Sequence, residues 1–351
     1  MLTLSRNLTD RELQTIALNH QLHKILLPII TILGIAGNVL SFSVFTTNRY
    51  KRKSASVFLA FLAVADSGFL LSLIPIWLGY MKIHAFHVQG LCQIILYGTY
   101  VFGFLSVWTV AAFTIERTIV VFLPLAKHRL CTRRKAKGCV IIMTIFALIA
   151  YSFSVWTSGV VKQESTQQCR PFAKYENFLR IATSVDTVLT LILPSLIIVI
   201  LNTAIASKLF IYLKGRGQTS GSRDRQQTEK EETHQLTSRV TDISGVQLRI
   251  NKTSSSRFVE NTQARTTLSL IVVSSVFVAL NLPCHAYRIH GFVIDLAGFK
   301  FKNASSEPGF YQGYLQLLYY INFAVNLYLY SLCSPAFRKA AYKQLFRSCS
   351  C

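Results

Sequence analysis

The chain has 351 residues, of which 51% are hydrophobic and only 15% are charged. The charges cluster between long apolar stretches, which a soluble protein of this size would not show. The formal net charge is +22, but much of the excess lies beside membrane ends on one side, so anionic inner-leaflet lipids explain it and nucleic-acid binding is excluded.

Seven stretches of mostly apolar residues are long enough to cross a bilayer, for which a helix needs about 20 residues. In chain order they are 22–45, 54–80, 89–122, 137–161, 177–212, 264–291 and 311–333. Several exceed the minimum, which implies tilt or extension beyond the membrane surface. The sequence therefore predicts an all-α membrane protein, a seven-helix transmembrane bundle over residues 22–334.

The first segment, residues 1–21, is polar and lacks the pattern of a cleaved signal peptide, so we expect the first span to act as an uncleaved anchor. Basic residues crowd the first and third connections and the tail, whereas the second and fourth connections carry few. Because short cytoplasmic loops are rich in Lys and Arg, the N-terminus is predicted to be extracellular. Asn7 and Asn303 begin glycosylation sequons on that outer side.

The second span carries Asp66 within an apolar run. A carboxylate near the hydrocarbon midplane costs at least about 2.5 kcal/mol, so it should face the protein interior and have partners. Farther along, Cys92 begins the third span and Cys169 lies in the outer loop before the fifth. An oxidising compartment would let these two cysteines join.

The cytoplasmic segments differ from the spans in composition. Residues 214–263 are rich in Ser, Thr, Gln, Arg and Glu and are predicted to be a largely disordered loop. In residues 335–351, aromatic and basic residues alternate as in an interfacial amphipathic helix with a short tail. Cys349 and Cys351 end the chain, and both reversible palmitoylation and a pair of ordinary thiols remain open there.

Motifs in a fixed order carry a resemblance across nearly the whole chain. They are Gly37-Asn38, Leu62 to Asp66, Cys92 with Cys169, Glu116-Arg117, Pro124, Pro194, Pro283 and Asn326 to Tyr330. Each is weak alone, but in this order and at these depths they resemble the rhodopsin-like class of G-protein-coupled receptors. The resemblance implies a multi-pass plasma-membrane receptor that binds an extracellular ligand and activates a heterotrimeric G protein, with arrestin and receptor kinases as further partners.

The resemblance also assigns signalling roles. Arg117 pairs with Glu116 when the bundle is closed and faces the G protein when span six swings outward. Pro124 and Leu125 correspond to loop positions that contact the G protein. The switch positions of spans six and seven are Asn281, Pro283 and Tyr330. Asn281 replaces the usual tryptophan and Gln263 lies where an acid usually holds Arg117, so the usual contacts are missing, which leaves constitutive activity as an open question.

Five polar residues of the spans are expected to line one buried cavity: Asn38, Asp66, Ser106, Asn322 and Asn326. The resemblance implies that this cavity holds water and a sodium ion. Mutual hydrogen bonding without any ion is the alternative. No other cofactor is expected.

Several residues restrict the class of ligand that this protein can bind. Thr99 stands where amine receptors have an aspartate, and Tyr320 stands where opsins have the retinal lysine, so monoamines and light sensing are excluded. The segments Asn281 to Arg288 and Ile321 to Phe323 resemble invertebrate receptors of the FMRFamide and myosuppressin type, which implies a short neuropeptide. The candidate ligand contacts are Thr99, Asp186, His285, Arg288, Tyr319 and Tyr320.

Alternatives remain open for the role of Asp186 and for the function of the protein. Asp186 either contacts a basic side chain or the amidated end of a peptide, or forms an internal pair with Arg288. A receptor for a small odorant, lipid or metabolite is the alternative function, because outer aromatic residues also suit an apolar cavity. An intramembrane protease is excluded, since no Gly-x-Ser nucleophile occurs in the spans and Asp66 and Asp186 differ in depth. The absence of internal repeats disfavours a transporter.

Overall fold

The computed structural model describes residues 10–48, 50–83, 85–163, 166–208, 210–211, 271–290 and 308–348. Its main helices are α1 (Asp10–Thr46), α2 (Ser54–Tyr80), α3 (Leu91–Phe122), α4 (Arg133–Ala150, continued by Phe153–Thr157), α5 (Glu176–Thr187, continued through a π-helical turn, Val188–Ile192, to residue 208), α6 (Ile271–His290), α7 (Pro308–Asn322 and Asn326–Cys333) and α8 (Pro335–Ser348). A single helical turn, Lys127–Leu130, lies between α3 and α4. The all-α architecture predicted from the sequence is confirmed.

Within the described part of the chain, six helices are long and apolar enough to cross a membrane. The last predicted span is not among them because three non-helical residues, 323–325, divide α7 into parts of 15 and 8 residues. α1 begins at Asp10, well before the predicted residue 22. Residues 158–161, predicted to end the fourth span, instead form part of a strand. The loop 214–263 and the start of the sixth span lie outside the described residues.

Small residues bring α1 close to α2 and α7. A Cβ atom on Gly34 would lie 2.5 Å from Leu70 Cδ1 and 2.8 Å from Ala324 Cβ, and one on Gly37 would lie 3.1 Å from Leu327 Cβ. Glycines in membrane helices allow such close backbone approach, where dispersion contacts replace the hydrophobic driving force. This contact places the break in α7 directly against α1.

A β-hairpin lies at the outer end of α3. Strand β1 (Ser158–Gln163) pairs antiparallel with β2 (Thr166–Pro171), with Val160 opposite Cys169. Cys169 is disulfide-bonded to Cys92, with 5.8 Å between their Cα atoms. The backbone N–H of Cys169 donates to His87 Nδ1 at 3.0 Å, and that of Val160 donates to Gln89 Oε1 at 3.1 Å. The predicted disulfide is confirmed, and it fixes the hairpin to the bundle.

The amphipathic helix predicted after the last span is α8. Phe337 and Ala341 are buried in a cluster that also contains Phe45 of α1 and Tyr330 of α7. On the opposite face Phe346 is 70% exposed, as expected for a side chain that contacts the membrane interface.

Candidate functional site

Asp66 is fully buried and joins three helices. Its Oδ1 accepts a hydrogen bond from the Ser106 hydroxyl of α3 at 2.6 Å, and its Oδ2 accepts one from the Asn326 amide of α7 at 2.5 Å. Both are partners that the sequence predicted. Two hydrogen bonds to a buried carboxylate offset part of its desolvation penalty.

The two remaining asparagines of the predicted polar core are also buried, with different contacts. Asn38 donates to the Phe323 carbonyl at 3.0 Å, in the break of α7 where the helical hydrogen-bond pattern stops. Within the described ranges, its own Oδ1 has no hydrogen-bond partner. Asn322 is 3% exposed. Asn38 therefore stabilises the break itself, a role that the sequence did not predict.

The cytoplasmic end of α3 holds an internal ion pair. Arg117 Nη2 lies 2.8 Å from Glu116 Oε2, and the Ser54 hydroxyl of α2 donates to the other oxygen of Glu116. The Arg117 guanidinium also lies 5.5 Å from the centre of the Phe113 ring. Nearby, burial raises the pKa of the Cys131 thiol, and the Glu116 carboxylate adds to that effect, so the thiol stays neutral.

Among the apolar side chains of the loop after α3, that of Leu125 is the most exposed. Leu125, which follows Pro124, is 93% exposed. This side chain is therefore accessible to a partner protein. The position of Gln263 lies outside those residues.

A reciprocal hydrogen bond connects α5 and α6 near their inner halves. Asn202 Nδ2 donates to Ser274 Oγ at 2.8 Å, and the Ser274 hydroxyl lies 3.1 Å from Asn202 Oδ1. Both residues are at least nine-tenths buried. The sequence did not predict this contact, because the two partners lie 72 positions apart along the chain.

All six candidate ligand contacts line a single cavity of about 290 Å³ at the outer half of the bundle: Thr99, Asp186, His285, Arg288, Tyr319 and Tyr320. Sequence reasoning missed Gln312 and Gln316, which line the same cavity. Their spacing was the available signal, since Gln312, Gln316 and Tyr320 recur every four residues and so share one face of α7. Gln316 donates to the Tyr320 hydroxyl at 2.7 Å.

Asp186 is bound by a neighbouring helix and not by the arginine of the cavity. The Tyr151 hydroxyl of α4 donates to Asp186 Oδ1 at 2.7 Å, and Asp186 is 7% exposed. Among the residues that the structure describes, no ion pair within 4.0 Å joins Asp186 to Arg288. The direct internal pair is therefore not formed, and an acid and a base both line the cavity.

Aromatic contacts lead from the cavity towards the break in α7. The His285 imidazole meets the Tyr319 ring edge to face at 5.5 Å, and Tyr319 meets Phe323 at 5.1 Å. Phe323 in turn stacks on Phe69 of α2 with 3.8 Å between ring centres. His285 is 3% exposed, and its Nδ1 has no hydrogen-bond partner among the residues that the structure describes, so a buried polar atom beside the cavity is available to a ligand.

The switch positions of α6 and α7 are buried polar groups. Asn281 donates to the Phe277 carbonyl within α6 at 2.7 Å. In the described part of the chain, neither Asn281 Oδ1 nor the buried Tyr330 hydroxyl has a hydrogen-bond partner. Pro283 lies two residues after Asn281 in the same helix. Asn7, Asn303, Cys349 and Cys351 lie outside the described residues, so glycosylation and palmitoylation remain predictions.

Comparison with known proteins identifies similar chains. Residues 37–330 match the family described as 7 transmembrane receptor (rhodopsin family). The thyrotropin-releasing hormone receptor of Homo sapiens is 27% identical over 354 residues, covering 96% of this chain and 80% of that protein. The neuropeptide receptor 15 of Caenorhabditis elegans is 33% identical over 147 residues, which cover 40% of this chain and only 43% of that protein. The B1 bradykinin receptor of Sus scrofa is 29% identical over 58% of this chain and 59% of its own length.

Proposed function

Because this chain belongs to the rhodopsin family of seven-transmembrane receptors, we propose that it binds a short extracellular peptide at the plasma membrane and activates a heterotrimeric G protein. Proteins of this family are signalling receptors, so the chain is a multi-pass membrane receptor and not an enzyme. We place the N-terminus outside the cell and the C-terminus inside, as the distribution of basic residues predicts.

The observation that carries the peptide proposal is the cavity that contains both Asp186 and Arg288. A peptide offers cationic side chains or an amide terminus to the acid, and carbonyl oxygens to the base. The volume of about 290 Å³ is at the lower end of ligand pockets, so we propose that one end of the peptide enters while the rest contacts the hairpin. The printed names of the relatives, receptors for a neuropeptide, thyrotropin-releasing hormone and bradykinin, support the same class of ligand.

We propose that the signal passes from the cavity through α6 and α7. A ligand that contacts His285 or Tyr319 displaces rings packed against the break in α7. Outward movement of α6 then separates Ser274 from Asn202 and opens a space beside Arg117 for the G protein. The Arg117–Glu116 ion pair and the Asn202–Ser274 bond fit a closed bundle, in which the inner mouth is not available.

Sodium is proposed as a resident ion of the polar core. Hard cations prefer oxygen ligands, and the Asp66 carboxylate and the Ser106 hydroxyl supply them 2.6 Å apart in a fully buried position. The Asn38 Oδ1 atom, buried and without a partner, is a further acceptor. These residues fit the ion, which would supply a positive charge beside the buried acid.

A peptide screen tests the proposal directly. Cells expressing the receptor are exposed to a panel of amidated and free-acid peptides, with calcium and cyclic nucleotide as readouts. For a peptide with a basic residue, Asp186→Asn should weaken potency by about tenfold or more, the value of one lost charge-assisted contact. Glu176→Gln is the matched control, since this acid begins the same helix, is exposed and does not line the cavity.

Two results would contradict the peptide assignment. Activation by an odorant, lipid or metabolite with no response to any peptide would favour the alternative receptor class. An equal loss of potency in Asp186→Asn and Glu176→Gln would show that the charge of the outer surface matters and that direct contact in the cavity does not.

A further inference from the structure

We propose that His20 and His23, near the outer end of α1, bind a divalent transition-metal ion such as Zn²⁺. The two imidazole rings pack on one aromatic ring of α2. His20 meets the Tyr80 ring edge to face with 5.1 Å between ring centres, and His23 stacks on it at 5.5 Å. Residues three positions apart on a helix are neighbours, with about 5–6 Å between their Cβ atoms. Both rings therefore lie on the same side of α1, where they can hold one ion between them.

The hydrogen bond of His23 determines which of its ring nitrogens is available to a metal. Its Nδ1 atom lies 2.9 Å from the Asn19 carbonyl oxygen. A carbonyl oxygen only accepts, so Nδ1 carries the proton of the neutral ring and Nε2 keeps its lone pair. Histidines that bind metal ions in proteins usually donate their other N–H in this way, often to a backbone carbonyl, which fixes the orientation of the ring. His23 is thus held in the form that metal binding requires.

The backbone of α1 beneath the two histidines is fixed to α2. Pro28 lacks an N–H group, so the carbonyl of Lys24, four residues earlier, has no helical partner. The indole N–H of Trp77 donates to that carbonyl at 3.0 Å. Trp77 lies three residues before Tyr80 on α2, so the helices are joined next to the point where the rings meet. Ligands that are already positioned bind an ion with a smaller cost of ordering.

The chemistry of the ligands selects the class of ion. Imidazole nitrogens suit zinc, copper and nickel, whereas magnesium and calcium prefer oxygen ligands. Among the residues that the structure describes, no third histidine, cysteine or acid joins the pair, so water completes the coordination. Structural zinc sites have four protein ligands, and a site with two predicts reversible binding. In the proposed orientation, the ion comes from outside the cell.

The site lies near the ligand cavity but outside it. Neither histidine lines the cavity, which Gln312 borders on α7. The Asn19 side chain occupies the space that a Cβ atom at Gly313, the neighbour of Gln312, would need. An ion held across one turn of α1 would stabilise the helical segment that carries Asn19. It would therefore stabilise the contact between α1 and the rim of the cavity.

A metal titration tests this site without any peptide or G protein. The full-length receptor is purified in detergent, stripped of metal with a chelator and titrated with Zn²⁺ at constant sodium. Binding is measured by calorimetry, together with the temperature of unfolding. The wild type should bind the ion and unfold at a higher temperature, because a ligand of the folded state stabilises it. His20→Ala and His23→Ala should each weaken binding by about tenfold or more, since loss even of a group that only orients a metal ligand costs about that much.

Two variants serve as controls. His290→Ala removes an exposed histidine at the outer end of α6, and Tyr80→Phe keeps the ring on which both imidazoles pack but removes its hydroxyl. Zinc affinity should change by less than about twofold in both. His23 is buried, so its variant tests packing as well as binding. His20 is exposed, so His20→Ala should unfold like the wild type without zinc and lose the increase that zinc produces.

Lys24 supplies a prediction of opposite sign. It lies four residues after His20 and so on the same side of α1, where its charge repels a dication. Lys24→Gln should therefore tighten zinc binding by about twofold, as expected for removal of one screened surface charge.

Three outcomes would overturn the proposal. Equal weakening in His20→Ala and His290→Ala would mean diffuse binding to surface histidines. Zinc binding that is unchanged in both His20→Ala and His23→Ala would place the ion elsewhere in the receptor. Stabilisation by Mg²⁺ or Ca²⁺ as large as that by Zn²⁺ would mean a general effect of divalent charge. Because the assay needs no agonist, failure of the peptide proposal would leave its result unchanged.

Discussion

At the scale of single residues, two buried acids show what sequence can and cannot predict. Asp66 was expected to have partners because its cost in a membrane is high, and Ser106 and Asn326 were identified with it. The partner of Asp186 was not predicted. Tyr151 ends the main segment of α4 at a turn, where helical periodicity no longer indicates which way a side chain points.

Tyr151→Phe removes the hydroxyl that donates to Asp186. A buried carboxylate without its donor loses about 1–3 kcal/mol of stability, so we expect thermal unfolding of the purified receptor at a lower temperature. Tyr97→Phe is the control, since its hydroxyl on α3 also donates to α4, at the Leu148 carbonyl, but in a more exposed place. An equal decrease in the two variants would argue against a special role of Asp186.

Substitution by alanine should have opposite effects on stability at Gly34 of α1 and at Gly138 of α4. Gly34→Ala brings a methyl group within 2.5 Å of Leu70, and such overpacking costs about 1–3 kcal/mol. Gly138→Ala meets nothing within 4 Å and should stabilise α4 by about 0.5–1 kcal/mol. Thermal unfolding of the two variants measures the difference, and a neutral Gly34→Ala would mean that α1 is less tightly packed than described.

At the scale of helices, apolar length predicted the number and order of the elements but not their irregularities. The break at 323–325 in α7 depends on the Asn38 contact from α1, and the early start of α1 extends into a polar segment. Both are tertiary effects that no local pattern contains. The hydrogen bond between Asn202 of α5 and Ser274 of α6 is a tertiary effect as well, because the sequence of neither helix indicates the partner in the other.

Ser274→Ala removes the hydroxyl that joins α6 to Asn202 of α5. A hydrogen bond of this kind contributes about 0.5–1.5 kcal/mol net, so the ratio of closed to open receptor should fall by about twofold to tenfold. We expect a higher rate of nucleotide exchange on the G protein without ligand. Ser207→Ala is the control, because that hydroxyl donates to the Thr203 carbonyl within α5 itself. Unchanged basal exchange in Ser274→Ala would show that this bond does not restrain α6.

At the scale of the whole molecule, the polar core joins α2, α3 and α7, so an ion bound there would act on the entire bundle. Ligands that bind only the folded state stabilise it, by about 2.7 kcal/mol at a concentration one hundred times the dissociation constant. Replacing sodium by potassium at equal ionic strength should therefore lower the unfolding temperature of the wild type. Asp66→Asn should abolish this difference, whereas Asp186→Asn should retain it. A wild type indifferent to the cation would favour the ion-free hydrogen-bonded core.

The topology of the whole chain can be tested by labelling. With an N-terminus outside and α8 inside, antibodies against an N-terminal tag should stain intact cells, and those against a C-terminal tag should stain only permeabilised cells. Asn7→Gln should increase electrophoretic mobility through loss of a glycan. Staining of both tags on intact cells would contradict the predicted orientation.

The π-helical turn Val188–Ile192 determines how the two ends of α5 are rotated relative to each other. The indole N–H of Trp108 donates to the Leu189 carbonyl within this turn at 3.0 Å. A wider turn of this kind amounts to one inserted residue, and each residue of an α-helix corresponds to a rotation of about 100°. If the same residues formed a regular α-helix, the part of α5 after the turn would be rotated by about 100° relative to the part before it, so that Asp186 and Asn202 could no longer point inward together. The π-helical turn thus lets a single helix present residues of two separate sites to the interior of the bundle, which a regular helix of the same sequence would not do.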